Sequence, residues 1–199
     1  KTTNSGQIQA NNNITINGNV DSSNLISTNK DITISGNLKN SGNVSSTNLN
    51  VKEIENLNKI VTEEKLSSTK ITNSGEISSG NITTNNLNNK GNVKVVNSIS
   101  SQEIANNGKL LVGNTINSQN LTNTSTVQGR ILDIKNKINS SGKILADNIT
   151  TKDISNSGNI SSKAVATQEL TNSGEIISNN LSSNNINNSK NIFVNGNLK

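Results

Sequence analysis

Carboxylates are the only side chains in this sequence with a route to acid–base or nucleophilic chemistry. The 199 residues contain no His and no Cys. That removes His-based triads, thiol nucleophiles and the usual zinc sites. The glycines form no Gly-x-x-x-x-Gly-Lys-Ser/Thr phosphate loop and no Gly-Gly-x-Gly-x-Asp calcium repeat. Four acids, Glu53, Glu103, Asp153 and Glu169, share one setting: each stands immediately before a recurring apolar residue. Asp153 and Glu169 stand at the same place in successive units of the sequence. In a chain coiled with that period they point outward on neighbouring turns, about 5 Å apart, the separation used by retaining glycosidases. No aromatic platform for a sugar accompanies them, and Lys152 stands beside Asp153 as a counter-charge. A solvated face is the plainer account. The chain is therefore read as non-enzymatic, with no cofactor and no metal.

The period that brings Asp153 and Glu169 together organises the whole chain. Gly142, Gly158 and Gly174 are spaced by 16, and after each the large apolar residues fall at fixed offsets: Ile144, Ile149, Ile154; Ile160, Val165, Leu170; Ile176, Leu181, Ile186. Steps of five, five and six fit neither a helical face nor strict alternation along one strand. They fit a coil that turns three corners in each such period and sends one apolar side chain from each side to a common axis. A fixed period of this size marks a solenoid. The first column reads Val44, Ile60, Ile77, Val93, Leu110, Val127, Ile144, Ile160, Ile176. The third reads Ile54, Ile71, Leu87, Ile104, Leu121, Ile138, Ile154, Leu170, Ile186. The second runs Leu49, Leu66, Ile82, Ile99, Ile116, an open choice among Ile131 to Ile134, then Ile149, Val165, Leu181. Units of 17 place the extra residue just before the second column. The charged stretch Val61 to Lys70 is expected to bulge outward.

Two polar columns accompany the apolar ones. Glycine, or Asn58, Ser125 and Lys190 in its place, recurs once in every unit from Gly42 onward. Two positions earlier stand Asn40, Asn56, Asn73, Asn89, Asn106, Asn123, Asn156, Asn172 and Asn188, with Ser140 the one departure. Gly and Asn tolerate a left-handed backbone, so a tight left-handed corner is the expected reason for both columns. Stacked Asn side chains can also bond amide to amide along the axis.

The expected fold is all-β: a three-sided parallel β-helix with rungs of roughly 16–18 residues. Residues 1–199 read as one β-helix segment of a longer chain, since the sequence begins at Lys1 without Met and neither end shows a cap. Residues 1–41 form irregular 18-residue units, 42–190 regular 16–17-residue rungs, and 191–199 the start of a further rung. Three local copies of one phrase, at Ile14 to Val20, Ile32 to Leu38 and Ile192 to Leu198, alternate as strands do.

Composition agrees with a thin core. Only 28% of residues are hydrophobic, Phe193 is the one aromatic, and Pro, Met, Trp and Tyr are absent. A compact globule needs more apolar bulk, and a disordered Asn-rich chain has no reason to keep Ile, Leu and Val in phase. The net charge of +5 is dispersed, with neither a basic run nor interleaved aromatics to bind nucleic acid. No apolar run approaches the roughly 20 residues of a membrane span. Asn-x-Ser/Thr triplets such as Asn81-Ile82-Thr83, Asn148-Ile149-Thr150 and Asn159-Ile160-Ser161 follow from the composition alone.

The phrase in LTNSGEI (Leu170 to Ile176) and ITNSGEI (Ile71 to Ile77) resembles the repeats of filamentous-haemagglutinin-type exoproteins. These are the secreted adhesins of two-partner secretion and the sticks of contact-dependent inhibition systems. The resemblance covers residues 40 to 190. It implies a right-handed coil, whereas spacing alone leaves the left-handed one open. It also implies a secreted or cell-surface location and passage through an outer-membrane transporter. A receptor on a host or bacterial surface would be met by other parts of the parent chain, in the setting of virulence. The expected role is a structural shaft extending a binding or toxic tip. The alternative is a lateral binding face on the rod for a host cell, a glycan or ice, although Thr83/Thr84 and Thr150/Thr151 do not recur in every rung.

Overall fold

A computed structural model describes all 199 residues. It contains strands and turns and no helix, and every strand pairing is parallel. The chain winds as a β-solenoid of about eleven turns. Residues Asn156–Asn172 show how the sequence produces one turn. Asn159, Ile160, Ser161 and Ser162 form the first face, Ala164 to Thr167 the second, and Glu169 to Asn172 the third. Within each face alternate residues point inward, so Ile160, Val165 and Leu170 are all buried. The chain turns to the next face at Ser157–Gly158, and at Lys163 and Gln168, where the strand runs on but the rung-to-rung pairing skips a residue.

The three apolar columns are three physical lanes. In lane one Ile144 pairs with Ile160 and Ile160 with Ile176; in lane two Ile149 pairs with Val165 and Val165 with Leu181; in lane three Ile154 pairs with Leu170 and Leu170 with Ile186. The open choice in lane two is Leu132, which lies between Ile116 and Ile149. This rung places its additional residue after the second lane, at Lys135–Asn136, where the register shifts between Ile134 and Lys137. In the Lys59–Ser67 strand the outward bulge is confined to one corner. There Glu63 and Glu64 lie where the next rung has Gly80 alone, and Leu66 stays in lane two, fully buried.

The first 41 residues join the same lanes. Ile8, Ile26 and Val44 align, as do Ile14, Ile32 and Leu49, and Val20, Leu38 and Ile54. Six-residue steps at all three corners make these the longest rungs. The three copies of the local phrase are not equivalent: Ile14 and Ile32 stand in lane two, whereas Ile192 stands above Ile176 in lane one.

The core holds more than three lanes. Two residues after each lane residue a second side chain turns inward at the corner. At the second corner this column includes Ser46, Thr62, Ser79, Val95 and Val112. At the third it includes Ser118, Ile134 and Thr151. One continuous core of 36 buried apolar residues results, each contributing about 1.5–3 kcal/mol. The 157 backbone–backbone hydrogen bonds of the chain satisfy most peptide groups between rungs, which is how so apolar-poor a sequence remains ordered. With rungs about 4.8 Å apart the rod is ~50 Å long.

Candidate functional site

The corner asparagines turn inward instead of lining a left-handed bend. No residue other than glycine has a positive φ, and Gly18 alone among glycines does. The left-handed corner expected for both columns is therefore absent, and each residue type has a different cause. The glycines are required by close approach of successive rungs. A Cβ on Gly91 would stand 2.1 Å from the Gly75 carbonyl oxygen, and one on Gly158 2.1 Å from that of Gly142. Asn58, Ser125 and Lys190 carry side chains in this column, so the stack can be re-spaced locally.

The asparagines form a buried amide ladder. Asn40, Asn56, Asn73, Asn89, Asn106 and Asn123 are all 0% exposed, and Asn156 and Asn172 are 1%. Nδ2 of each donates to Oδ1 of the next: Asn40 to Asn56 at 2.8 Å, Asn56 to Asn73 at 2.8 Å, Asn73 to Asn89 at 2.9 Å, Asn89 to Asn106 at 2.8 Å and Asn106 to Asn123 at 2.9 Å. Each Nδ2 also meets the carbonyl two residues ahead and one on the next rung. For Asn106 these are Gly108 O at 2.7 Å and Thr126 O at 2.9 Å. The ladder thus gives a second donor to corner carbonyls that already accept a backbone N–H from the next rung, as Gly108 O does from Thr126 N at 3.3 Å and Gly91 O from Lys109 N at 2.9 Å, and it buries its own amides fully bonded. At Ser140 it narrows: Asn123 Nδ2 donates to Ser140 Oγ at 3.3 Å. It resumes from Asn156 to Asn172 and from Asn172 to Asn188, both at 2.8 Å. Asn188, in the last complete turn, is exposed.

The other two corners use hydroxyls for the same task, a pattern the sequence analysis missed. At the third corner Thr167 Oγ1 donates to Lys152 O at 2.9 Å and Glu169 O at 3.1 Å; at the second, Ser162 Oγ donates to Asp147 O at 3.0 Å and Ala164 O at 2.8 Å. The available signal was a Ser or Thr two residues after a lane residue. It is faint in a chain so rich in both. Ser46 Oγ, at an equivalent place, has no partner.

The four carboxylates do lie outward on the third face. Asp153 and Glu169 are registered neighbours, as expected. Their column also contains Glu53, Lys70, Asn86, Glu103, Asn120, Lys137 and Asn185. Polar neighbours occupy the acids singly: Asn120 Nδ2 donates to Glu103 Oε1 at 2.6 Å, and Asn185 Nδ2 to Glu169 Oε1 at 2.7 Å. Neither Asp153 nor Glu169 lines any of the larger surface hollows. No group of three or more acidic side chains is gathered to hold a metal ion. Lys59 and Glu76 form a cross-rung pair at 4.0 Å, both more than half exposed, worth little in water. At the second corner Asp147 lies between Lys163 Nζ at 3.0 Å and Arg130 Nε at 3.9 Å.

The chain is thus a rod whose most ordered polar groups are spent internally, on corner carbonyls. No known protein family, curated protein or solved structure matches it.

Proposed function

We propose that this chain is a non-catalytic structural shaft: a length of rod in a secreted or surface-anchored bacterial adhesin or exoprotein that holds a binding or toxic tip away from the cell. The observation that carries this reading is the unbroken register. From Ile8 to Ile192 lane one passes through every rung, and the corner polar groups stiffen the stack instead of facing a ligand. Length in such a rod is additive, because each rung contacts only its neighbours. The resemblance of LTNSGEI and ITNSGEI to filamentous-haemagglutinin-type repeats supports the secreted setting and export through an outer-membrane transporter.

The test is geometric. Displayed on a bacterial surface with an epitope at its C-terminal end, the chain should hold that epitope ~50 Å from its point of attachment. Deleting residues 159–174, one whole rung, should lower it by about 5 Å and leave the chain folded. An epitope lying flush with the surface, or unfolding on removal of a single rung, would contradict the shaft. The catalytic alternative is checked in parallel: the chain should release no reducing ends from polysaccharides, with or without Asp153→Asn and Glu169→Gln.

A further inference from the structure

Coiling concentrates a charge that the linear sequence disperses. Between Ile77 and Leu132 the chain carries four basic residues, Lys90, Lys94, Lys109 and Arg130, and one acid, Glu103. Lys94 and Lys109 point outward on the first face. Lys90 stands at the corner leading into that face and Arg130 at the corner leaving it, whereas Glu103 opens a strand of the third face. The outward column of Lys109 runs Lys59, Glu76, Asn92, Lys109, Thr126, Lys143, and Lys94 stands in the second outward column of the face, between Ser78 and Leu111. Across these rungs Glu76 is the single acid on the face itself. Lys90, Lys94, Lys109 and Lys143 are exposed, and none is within ion-pair distance of a carboxylate; Lys59 reaches Glu76 at 4.0 Å and Arg130 reaches Asp147 at 3.9 Å. Lys59, Glu76, Asn92, Lys94, Lys109 and Leu111 line a shallow hollow of about 360 Å³, in which three lysines outnumber the one acid.

We infer that this face is a docking strip for a linear acidic polysaccharide lying along the stack. Its carboxylates would pair with Lys94, Lys109 and Lys143, which are spaced by one and two rungs, about 5 and 10 Å along the axis. Charge complementarity fixes the sign of the partner. Ser78, Asn92, Thr126 and Gln128, outward between the lysines, offer amide and hydroxyl partners for sugar hydroxyls. A nucleic acid fits less well, because base stacking needs aromatic side chains. Phe193, the one aromatic, sits three rungs beyond Lys143 on this face. The inference rests on the rod reading only in requiring the lysines to share a face.

Alginate, a polyuronate, is the probe, with neutral dextran and single-stranded DNA as comparisons. The 199-residue chain should bind alginate and not dextran. Affinity should fall at least about ten-fold between 50 and 200 mM salt, because the contacts are solvent-exposed charges. K94Q/K109Q should lose at least about ten-fold in affinity while keeping its circular dichroism spectrum. K52Q/K152Q, an equal charge change at exposed third-corner positions, should stay within about two-fold. Absence of alginate binding, equal losses in the two double variants, or tighter binding of DNA than of alginate would each overturn the inference. None of these outcomes bears on the shaft, whose length is measured independently.

Discussion

Replacing Asn106 by Ala should cost the chain about 2–4 kcal/mol. Asn106 is fully buried near the middle of the ladder. Its Nδ2 donates to Gly108 O, Asn123 Oδ1 and Thr126 O, and its Oδ1 accepts from Asn89 Nδ2. A net hydrogen bond is worth about 0.5–1.5 kcal/mol. Two amide hydrogens serve three acceptors, so the four contacts amount to about three full bonds. Full desolvation penalties are not added, because the abandoned partners keep other contacts. Asn89 Nδ2 still meets Gly91 O at 3.1 Å and Lys109 O at 3.0 Å, and Asn123 Oδ1 still accepts from Ser125 N at 3.2 Å. The chain supplies its own intermediate case. Ser140 in the same column accepts from Asn123 at 3.3 Å and donates to Gly142 O at 3.4 Å. Asn106→Ser should therefore cost about half as much as Asn106→Ala, and Ser140→Asn should add about 1 kcal/mol. Urea unfolding followed by far-ultraviolet circular dichroism measures all three. A cost under about 0.5 kcal/mol for Asn106→Ala, or equal costs for Ala and Ser, would refute the ladder as a source of stability.

Gly158→Ala should destabilise by about 1–3 kcal/mol or more, since its Cβ would meet the Gly142 carbonyl; Gly6→Ala, with nothing within 4 Å, should be neutral or slightly stabilising, and thermal melts compare the two. Ile160→Ala, in the middle of lane one, should cost about 2–5 kcal/mol, against less than about 1 kcal/mol for Ile186→Ala, whose side chain is 41% exposed. Ser46→Val should stabilise by about 1 kcal/mol in denaturant titrations, because Ser46 Oγ is buried without a partner and Val95 and Val112 occupy the same column. Asn106→Asp should be pH-dependent. A buried carboxyl facing carbonyl oxygens has its pKa raised above the unfolded value of about 3.9. The variant is then least destabilised below that pH, and loses about 1.4 kcal/mol per unit as pH rises toward the folded pKa.

The lanes were legible in the sequence because each is a column of Ile, Leu or Val at fixed offsets, and apolar burial depends on side-chain type more than on backbone detail. Asn106 and its equivalents were legible as a column, and their amide-to-amide bonding follows from period alone. Their backbone conformation was not: Asn and Gly favour left-handed corners and close approach alike, and only the stacked carbonyls at about 2 Å from each missing Cβ decide between them. The choice among Ile131, Leu132 and Ile134 was undecidable by spacing, since Leu132 and Ile134 are both fully buried, one in the lane and one at the corner. The 18-residue rungs at Ile8 and Ile26 looked irregular because three six-residue steps erase the five–five–six signature while keeping the lanes. The lysine strip on the first face could not be read from runs of charge, because neighbours on a face belong to successive rungs and stand a whole turn apart in the chain.

Paired spin labels on the outward column of the first face that holds Lys94 test the stack most directly. Ser45, Ser78 and Ser161 lie in that column, with Ser78 five rungs and Ser45 seven rungs below Ser161. Double electron–electron resonance should give narrow distributions at about 24 Å for Ser78–Ser161 and about 34 Å for Ser45–Ser161, rising by about 4.8 Å for each added rung. Broad distributions, or distances that do not grow in proportion to the number of rungs, would contradict the three-lane coil and every role assigned to it.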